Sequence, residues 1–526
     1  MQRQKAMAQI SKQDFQLLLT ASEMGEADIA AVQAGVPAME LMEAAGKAVA
    51  DAVLDHWSRC SVLVLCGPGN NGGDGFVVAQ LLQSVGWPVR LAFLGSVEKL
   101  SSEAAYFYHA WQGEVEAYSV ALLEQTDLVI DAMFGAGLTR PLEGKARDMI
   151  DDIIERKIPV CAIDVPSGVD GTTGAALGKI ASAELTVTFF RKKPGHLLLP
   201  GRSLCGKLVV ADIGIPVSVL DELNLQTWEN SPEIWCRDYP WPRSGGHKFH
   251  RGHAVVYGGE NITGASRLTA RGAMRIGAGL VSLAVPIKAW AIYATAMTSV
   301  MVAKLEQSQE AEDFEELLLD PRHNAIAVGP GAGLAGFERI RTRKIVLAAL
   351  ATNRPTVLDA DALSAFADDP KTLFDAINGS CVMTPHEGEF ARLFPTFNEN
   401  TDINKSPDIN EQCAADKLTR ARLVAKLSGA VVVLKGSDTV IASPDGRAII
   451  NSNAPADLAT GGSGDVLAGF IVGLLAQGML PFDAAAAAVW LHGEVGNEVG
   501  IGLIADDLPN HLPKVLSAFK TQYFSD

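Results

Sequence analysis

The chain has 526 residues, 48% of them apolar and 20% charged, with a formal net charge of −17. That length exceeds what one hydrophobic core serves and predicts two or more domains, while the apolar content excludes disorder over most of the chain. The acidic balance argues against nucleic acid and anionic membrane surfaces as partners, so an anionic ligand has to be held by local N–H groups or single basic side chains. Seven Cys are scattered without a Cys-x-x-Cys pair, which argues against a disulfide framework and a zinc site and fits a reducing cytoplasm. Charges at Arg3, Lys5, Lys12 and Asp14 interrupt any signal-peptide core, and no apolar run reaches the ~18 residues of a membrane span.

Gly35-Val-Pro37 followed by Met39 to Leu54 predicts a helix with Pro in its first turn. Its stripe of Leu41, Ala45, Val49 and Val53 is a packing face, within the domain or toward a second copy in a homo-oligomer. Ser61 to Cys66 predicts a strand, Gly67-Pro-Gly-Asn-Asn-Gly-Gly-Asp-Gly75 a loop, and Phe76 to Val85 a helix, the opening of a βαβ unit. Gly67-x-Gly69-x-x-Gly72 satisfies the dinucleotide-binding pattern, but the next strand, Val89 to Leu94, ends without the ribose-binding acid. An ordinary nicotinamide dehydrogenase is thereby excluded. Asn70, Asn71 and Asp74 are instead polar groups on a loop that contains Gly72 and Gly73, able to bind phosphate and, through amide oxygens, a hard cation. The arrangement recurs: Asp127 to Asp131 is an apolar strand closed by an acid and followed by Gly135 and Arg140, and Val160 to Asp164 repeats it before Val-Pro-Ser-Gly-Val-Asp170. Either acid alone could cap a helix. Three such strand ends at the βα period converge on the edge where parallel sheets bind ligands. Leu185 to Phe190 and Lys207 to Ile213 add strands to a parallel sheet covered on both faces. Between them Arg191-Lys-Lys-Pro-Gly-His196 could neutralise a ligand phosphate, although a solvated charged turn is the more usual role of such a run.

From Asp221 to Gly246 neither period survives, and Trp228, Trp235 and Trp241 stand among Pro232, Pro240, Pro242, Gly245 and Gly246, which break regular structure. This predicts a first domain over 1–225, a linker packed on a domain face over 226–246, and a second domain over 247–526. His247, His250 and His253, spaced by three across a turn before a strand, do not converge as metal ligands. Ala254 to Tyr257 is a strand, and Thr263 to Gly277 a helix with small residues on one face. Further strands run into Gly329-Pro-Gly-Ala-Gly333, Asp359-Ala-Asp361, Thr384-Pro-His386-Glu-Gly-Glu389 and Lys435-Gly436-Ser437-Asp438-Thr439, a second α/β layered domain with its site along one sheet edge. Thr460 to Gly464 cannot be the middle of a helix, whereas Val466 to Leu475 has helical periodicity, so Asp465 stands at a helix N-terminus. Unpaired N–H groups and the helix dipole make that turn an anion site, and a carboxylate beside it is placed to take a proton from a hydroxyl. An Asp in a first turn is favourable by itself, by about 0.3–1 kcal/mol. No cap, however, requires the surrounding Gly461-Gly-Ser-Gly464 run.

Gly462-Ser-Gly-Asp465 together with Lys435 to Thr439 resembles the ribokinase-like superfamily. Thr384-Pro-His386-x-Gly-Glu389, Gly329-Pro-Gly-Ala-Gly333, Leu358-Asp-Ala-Asp361 and His247-Lys-x-x-x-Gly252 resemble its ADP-dependent NAD(P)H-hydrate dehydratase branch. Independently, Asn70-Asn-Gly-Gly-Asp-Gly75, Asp131-Ala-Met-Phe-Gly-x-Gly137 and Asp164-Val-Pro-Ser-Gly-Val-Asp170 resemble the NAD(P)H-hydrate epimerase domain, in the order of the fused bifunctional repair family. Two positions depart from the pattern: Glu387 stands where Pro is usual and Ser364 where Asn is frequent. The resemblance implies an α/β fold in two domains, a Rossmann-like three-layer αβα sandwich and then a ribokinase-like domain. It also implies epimerisation of R and S hydrates of NADH or NADPH, and dehydration of the S form at the expense of ADP, giving AMP and phosphate. For the epimerase it implies a substrate site at Asn70, Asn71, Gly72, Gly73, Asp74, Gly135, Ala136, Gly137, Leu138, Thr139, Arg140, Pro141 and Asp164. A K⁺ site at Asn71, Asp131 and Ser167 belongs to the same domain, and Asp164 is the candidate for proton transfer. For the dehydratase, Asp465 is catalytic, with Ser463 and Gly464 amides facing the transferred group and Mg²⁺ as counter-ion. Ala265, Gly331 and His386 line the hydrated cofactor there, and Lys435, Gly436, Ser437, Asp438, Thr439 and Gly464 the nucleotide. A small-molecule kinase with an accessory binding domain is the alternative that the same Gly-x-Gly-Asp turn serves.

Overall fold

The computed structural model describes residues 16–306, 309–394 and 416–524. Arg3, Lys5, Lys12, Asp14 and Cys413 lie outside them. The chain divides between Thr227 and Trp228 into two units.

In the first unit seven strands form one parallel sheet: β1 (Val62–Cys66), β2 (Val89–Phe93), β3 (Val115–Glu116), β4 (Leu128–Ala132), β5 (Val160–Ile163), β6 (Leu185–Phe189) and β7 (Lys207–Ala211). Their order, β3-β2-β1-β4-β5-β6-β7, reverses direction between β1 and β4, and that crevice is where doubly wound sheets bind ligands. β1, β4, β5 and β6 are buried along their whole length, as continuous apolar runs with helices on both faces must be. The helix Ala38–His56 starts directly after Pro37, and all four residues of its apolar stripe are buried. The stripe is satisfied inside the unit, where Gly46 lets Val77 of the next helix approach closely.

The largest departure from sequence expectation is at the glycine loop. The helix expected from Phe76 spans Asn70–Ser84, so Asn70, Asn71 and Asp74 occupy its first turns and do not sit on a loop. Glycine disfavours a helix interior by about 1 kcal/mol relative to Ala, which is what suggested a loop. Here close approach decides: a Cβ on Gly75 would lie 2.6 Å from Ala132 Cβ and 2.8 Å from Cys66 Sγ, and one on Gly72 would collide with Gly67 O. The glycines press the helix start onto β1 and β4.

The second unit holds a ten-stranded sheet of β8 (Thr227–Glu229), β9 (His253–Tyr257), β10 (Leu280–Pro286), β11 (Met301–Leu305), β12 (Ala325–Val328), β13 (Thr356–Leu358), β14 (Cys381–Met383), β15 (Val431–Leu434), β16 (Val440–Ala442) and β17 (Ala448–Ile450). The order is β11-β10-β9-β12-β13-β14-β15-β16-β17-β8, parallel through β15 and antiparallel from β15 to β17. The helix Ser463–Ala476 is buried from Val466 to Ala476, as a helix apolar all round must be. It packs on the helix Thr263–Ile276, whose Gly272 faces Gly469. Within the stretch expected to be a linker, Trp235 is fully buried in this unit's core, with Trp228 and Trp241 packed against it. Among the described residues no helix is long and apolar enough to cross a membrane.

Candidate functional site

At the β1/β4 crevice of the first unit a cavity of about 1020 Å³ opens over the carboxyl ends of the strands. Asn70, Asn71, Asp74, Gly135 to Arg140 and Asp164 all line it. Pro141, Gly72 and Gly73 do not; the last two face Gly67 and Met42. Asp164 follows β5 with φ +67, an uncommon backbone for a residue other than glycine and one that gathers at functional sites. Three donors hold its carboxylate: Lys193 Nζ at 2.7 Å and Thr188 Oγ1 at 2.9 Å to Oδ1, and Ala136 N–H at 2.9 Å to Oδ2. Burial alone would raise this carboxyl, but the Lys193 ammonium and the hydrogen bonds outweigh it and bring it down to about 2. His196 is pushed the other way for a base, to about 4, by burial and by Lys193. It is neutral, accepting from Lys193 N–H at Nδ1 (2.9 Å) and donating from Nε2 to Asp164 O (2.8 Å).

Arg191-Lys-Lys193 is therefore no solvated turn. Lys193 is 1% exposed and Arg191 5%, and Lys193 tolerates burial because Asp164 neutralises it. Periodicity and composition carry no signal for that partnership.

Behind the cavity, Asp131 and Ser167 meet as one buried unit. Asp131 Oδ1 accepts from Ser167 Oγ at 2.6 Å and Met133 N–H at 3.2 Å, and Oδ2 accepts from Ser167 N–H at 2.8 Å. Asn71 Nδ2 is buried with no hydrogen-bond partner among the described residues. The same amide turned over presents an oxygen there, so carboxylate, hydroxyl and amide fit a hard cation in donor type.

In the second unit the sites expected from sequence gather at the ends of β12 to β15 and at the start of the helix Ser463–Ala476. Asp465 sits in that helix's first turn and stays partly exposed. Ser463 N–H turns back to Thr460 O at 3.4 Å, whereas the Gly464 and Asp465 amides have no backbone acceptor among the described residues. The open pair is thus one residue later than the Ser463 and Gly464 amides expected. Burial, then Asp359, push the Asp465 carboxyl up to about 7, with Asp361 and Glu389 adding and Lys435 opposing. Lys435 Nζ donates to Asp359 Oδ1 at 2.7 Å and lies 3.9 Å from Glu389 Oε2. A Cβ on Gly464 would lie 3.5 Å from Lys435 Nζ, so Lys435 and the Asp465 turn are neighbours.

The Lys435 to Thr439 loop is braced from within, Gly436 N–H donating to Thr439 Oγ1 at 3.1 Å, and from outside, Lys417 Nζ donating to Asp438 Oδ1 at 2.6 Å and Lys435 O at 3.3 Å. His386 caps the helix Glu387–Leu393: its Nδ1 accepts from Gly388 N–H at 2.9 Å and Glu389 N–H at 3.2 Å, while Glu389 Oε2 accepts from His386 N–H. Ala265 adjoins Gly331, where a Cβ would lie 3.3 Å from the Ala265 Cβ. Asp359 and Glu389 stand in the strand-end motifs without a role read from sequence, and the structure gives them one around Lys435; Lys417 has no motif to mark it. Among the described residues no group of three or more His, Cys, Asp or Glu is placed to hold a metal ion.

Residues 38–195 match the family model described as YjeF-related protein N-terminus, and residues 253–516 that described as NAD(P)H-hydrate dehydratase. The bifunctional NAD(P)H-hydrate repair enzyme Nnr of Moorella thermoacetica is 36% identical over 529 residues, 95% of this chain and 96% of that protein. Its Escherichia coli counterpart is 33% identical over 508 residues, 92% and 90% of the two chains. Among solved structures, the ADP/ATP-dependent NAD(P)H-hydrate dehydratase from Bacillus subtilis co-crystallized with ATP/Mg²⁺ is 28% identical with a TM-score of 0.44, covering 53% of this chain and 94% of that one.

Proposed function

The chain belongs to the family of bifunctional NAD(P)H-hydrate repair enzymes, and from that premise we propose that its first unit interconverts the R and S hydrates of NADH and NADPH while its second restores the S form to the dihydropyridine. ADP is the phosphoryl donor, leaving AMP and phosphate. A hydrated nicotinamide carries at C6 a hydroxyl that is a poor leaving group. Phosphorylation makes it a good one, and elimination then regenerates the ring double bond. The observation that carries this reading is the Asp465 carboxyl, pushed up to about 7 beside open helix-start amides. A carboxyl poised near neutrality can take the hydroxyl proton, and the amides of Gly464 and Asp465 face the charge on the transferred group.

Lys435, Gly436, Ser437, Asp438 and Thr439 hold the nucleotide in this reading, and Ala265, Gly331 and His386 the hydrated ring. Mg²⁺ would accompany the ADP phosphates and offset their charge. The oxygens of Asn71, Asp131 and Ser167 would hold K⁺ in the first unit.

The deciding experiment gives separated R and S epimers to the full chain with ADP or ATP and follows dihydronicotinamide absorbance. Recovery of absorbance from S first, and from R only through S, is expected. A stable phosphorylated alcohol formed from ATP, with no absorbance regained, would overturn the dehydratase reading in favour of a kinase.

A further inference from the structure

The helix Ala21–Gln33 lies upstream of the residues matched by the N-terminal family model, yet it walls the cavity with Met24, Asp28 and Ile29. Its start is pinned. Thr20 and Glu23 form a capping box, Ala21 N–H donates to Thr172 Oγ1 at 3.2 Å, and Leu19 N–H donates to Lys192 O at 3.0 Å. The helix is thereby tied to the stretch after β6 that carries Lys193. Asp28 opens into the same space as Asp74, Asp164, Arg140 and Lys193. Both Asp164 oxygens are taken by donors, whereas the Asp28 carboxyl accepts no hydrogen bond among the described residues.

We propose that Asp28 is the acid of the C6 inversion, giving its proton to the departing hydroxyl and regaining one when water adds back. The proposal rests on the epimerase reading above. C6 of the hydrate bears both the hydroxyl and the ring nitrogen. Proton transfer from Asp28 lets the C6–O bond break with its electron pair, releasing water, while the nitrogen lone pair forms a C6–N double bond. The resulting cation lies beside the ionised Asp164. Water then adds to the opposite face: its oxygen forms the new C6–O bond, the double-bond pair returns to nitrogen, and the released proton returns to Asp28 through solvent in the cavity. No oxidant or reductant is needed.

The two acids have environments pushed apart, the pattern that assigns separate proton-carrying and charge-holding roles. Burial raises Asp28 to about 6, with Lys193 opposing and Asp164 adding, so near neutrality a working fraction carries a proton. Asp164, at about 2, carries almost none.

The test uses the full chain and pure R epimer, with R-to-S conversion followed chromatographically and the spontaneous rate subtracted. Absence of conversion in the unaltered chain would defeat the epimerase reading itself. Given conversion, Asp28→Asn is expected to slow it about 10²-fold or more and to remove a fall in rate above pH about 6, with an unchanged melting profile as the folding control and unchanged dehydration of S epimer showing that the second unit is untouched. An Asp28→Asn chain as fast as the parent, with the same pH profile, overturns the proposal. Should that variant fail to fold, Asp28→Glu decides: a displaced alkaline limb supports the role and an unmoved one removes it. In heavy-oxygen water each inversion should place solvent oxygen on C6, and retention of the original oxygen rules out the route.

Discussion

Asp164 and Asp465 occupy matching places, each an acid at the ligand edge of a parallel sheet, yet their surroundings drive them in opposite directions. In the first unit one ammonium, one hydroxyl and one amide converge on Asp164 and bring it down to about 2. In the second, the available ammonium, Lys435, is spent on Asp359. Asp465 is left among Asp359, Asp361 and Glu389 and rises to about 7. The fold places a carboxylate at a strand or helix end, but the partner of the nearest lysine decides whether it holds charge or carries a proton.

The widest test of this contrast is to neutralise each acid in turn. Asp465→Asn is expected to lower dehydration about 10²-fold or more while R and S still interconvert. In the unaltered chain dehydration should fall as pH drops below about 7, because the protonated carboxyl cannot accept the hydroxyl proton. A profile flat through that region would remove Asp465 as the base. Asp164→Asn should do the reverse, leaving S repair intact and slowing R use to its spontaneous rate; unchanged R turnover would take Asp164 out of the mechanism.

A second test acts on the lysine. Lys193→Met strands a buried carboxylate and should destabilise the first unit by about 3–5 kcal/mol, seen in denaturant melts. The sign of the pH effect follows from the lowered carboxyl. The stabilisation from Asp164 is complete above its ordinary 3.8 and is lost as pH falls to about 2. In Lys193→Met that acid-side loss should vanish, and an unaltered acid profile would mean that other donors hold Asp164.

Much of this was readable from the chain. β1, β2, β4 to β7, β9 and β12 to β15 announce themselves as apolar runs, whereas β3, β8, β10, β11, β16 and β17 go unpredicted; the Gly-Ser-Gly-Asp465 turn marks its helix start, which the structure places at Ser463. Other features had no local signal. Asn70 to Gly75 looked like a loop because helix propensity is local, whereas the space between Gly75 and Ala132 depends on β1 and β4 pairing. Lys193 looked solvated because its partner is 29 positions away in the chain. Asp28 sits on a helix with no glycine motif, and only the closed fold brings it to the cavity.

The smallest effect expected concerns Glu387, at the position where the motif resemblance implies Pro. Its carboxylate receives two hydrogen bonds from Arg420, at 2.8 and 3.1 Å, and so joins the helix Glu387–Leu393 to the helix Lys417–Ser428. Half of the Glu387 side chain is exposed, and such pairs contribute about 0–1 kcal/mol. Glu387 is also the first residue of its helix, and His386 before it is extended at φ −83, ψ 169. A proline fits that position, where the missing N–H is no loss and the preceding residue already has the required backbone. Glu387→Pro therefore exchanges an ion pair for a stiffer unfolded chain, a gain of about 0.4–1 kcal/mol, and the melting temperature should hardly move. The KM for ADP should also hold, because Lys417 grips Asp438 and Lys435 O without help from Glu387. A large rise in that KM would show instead that the Arg420 bridge positions Lys417, tying the Lys435 to Thr439 loop to the His386 turn.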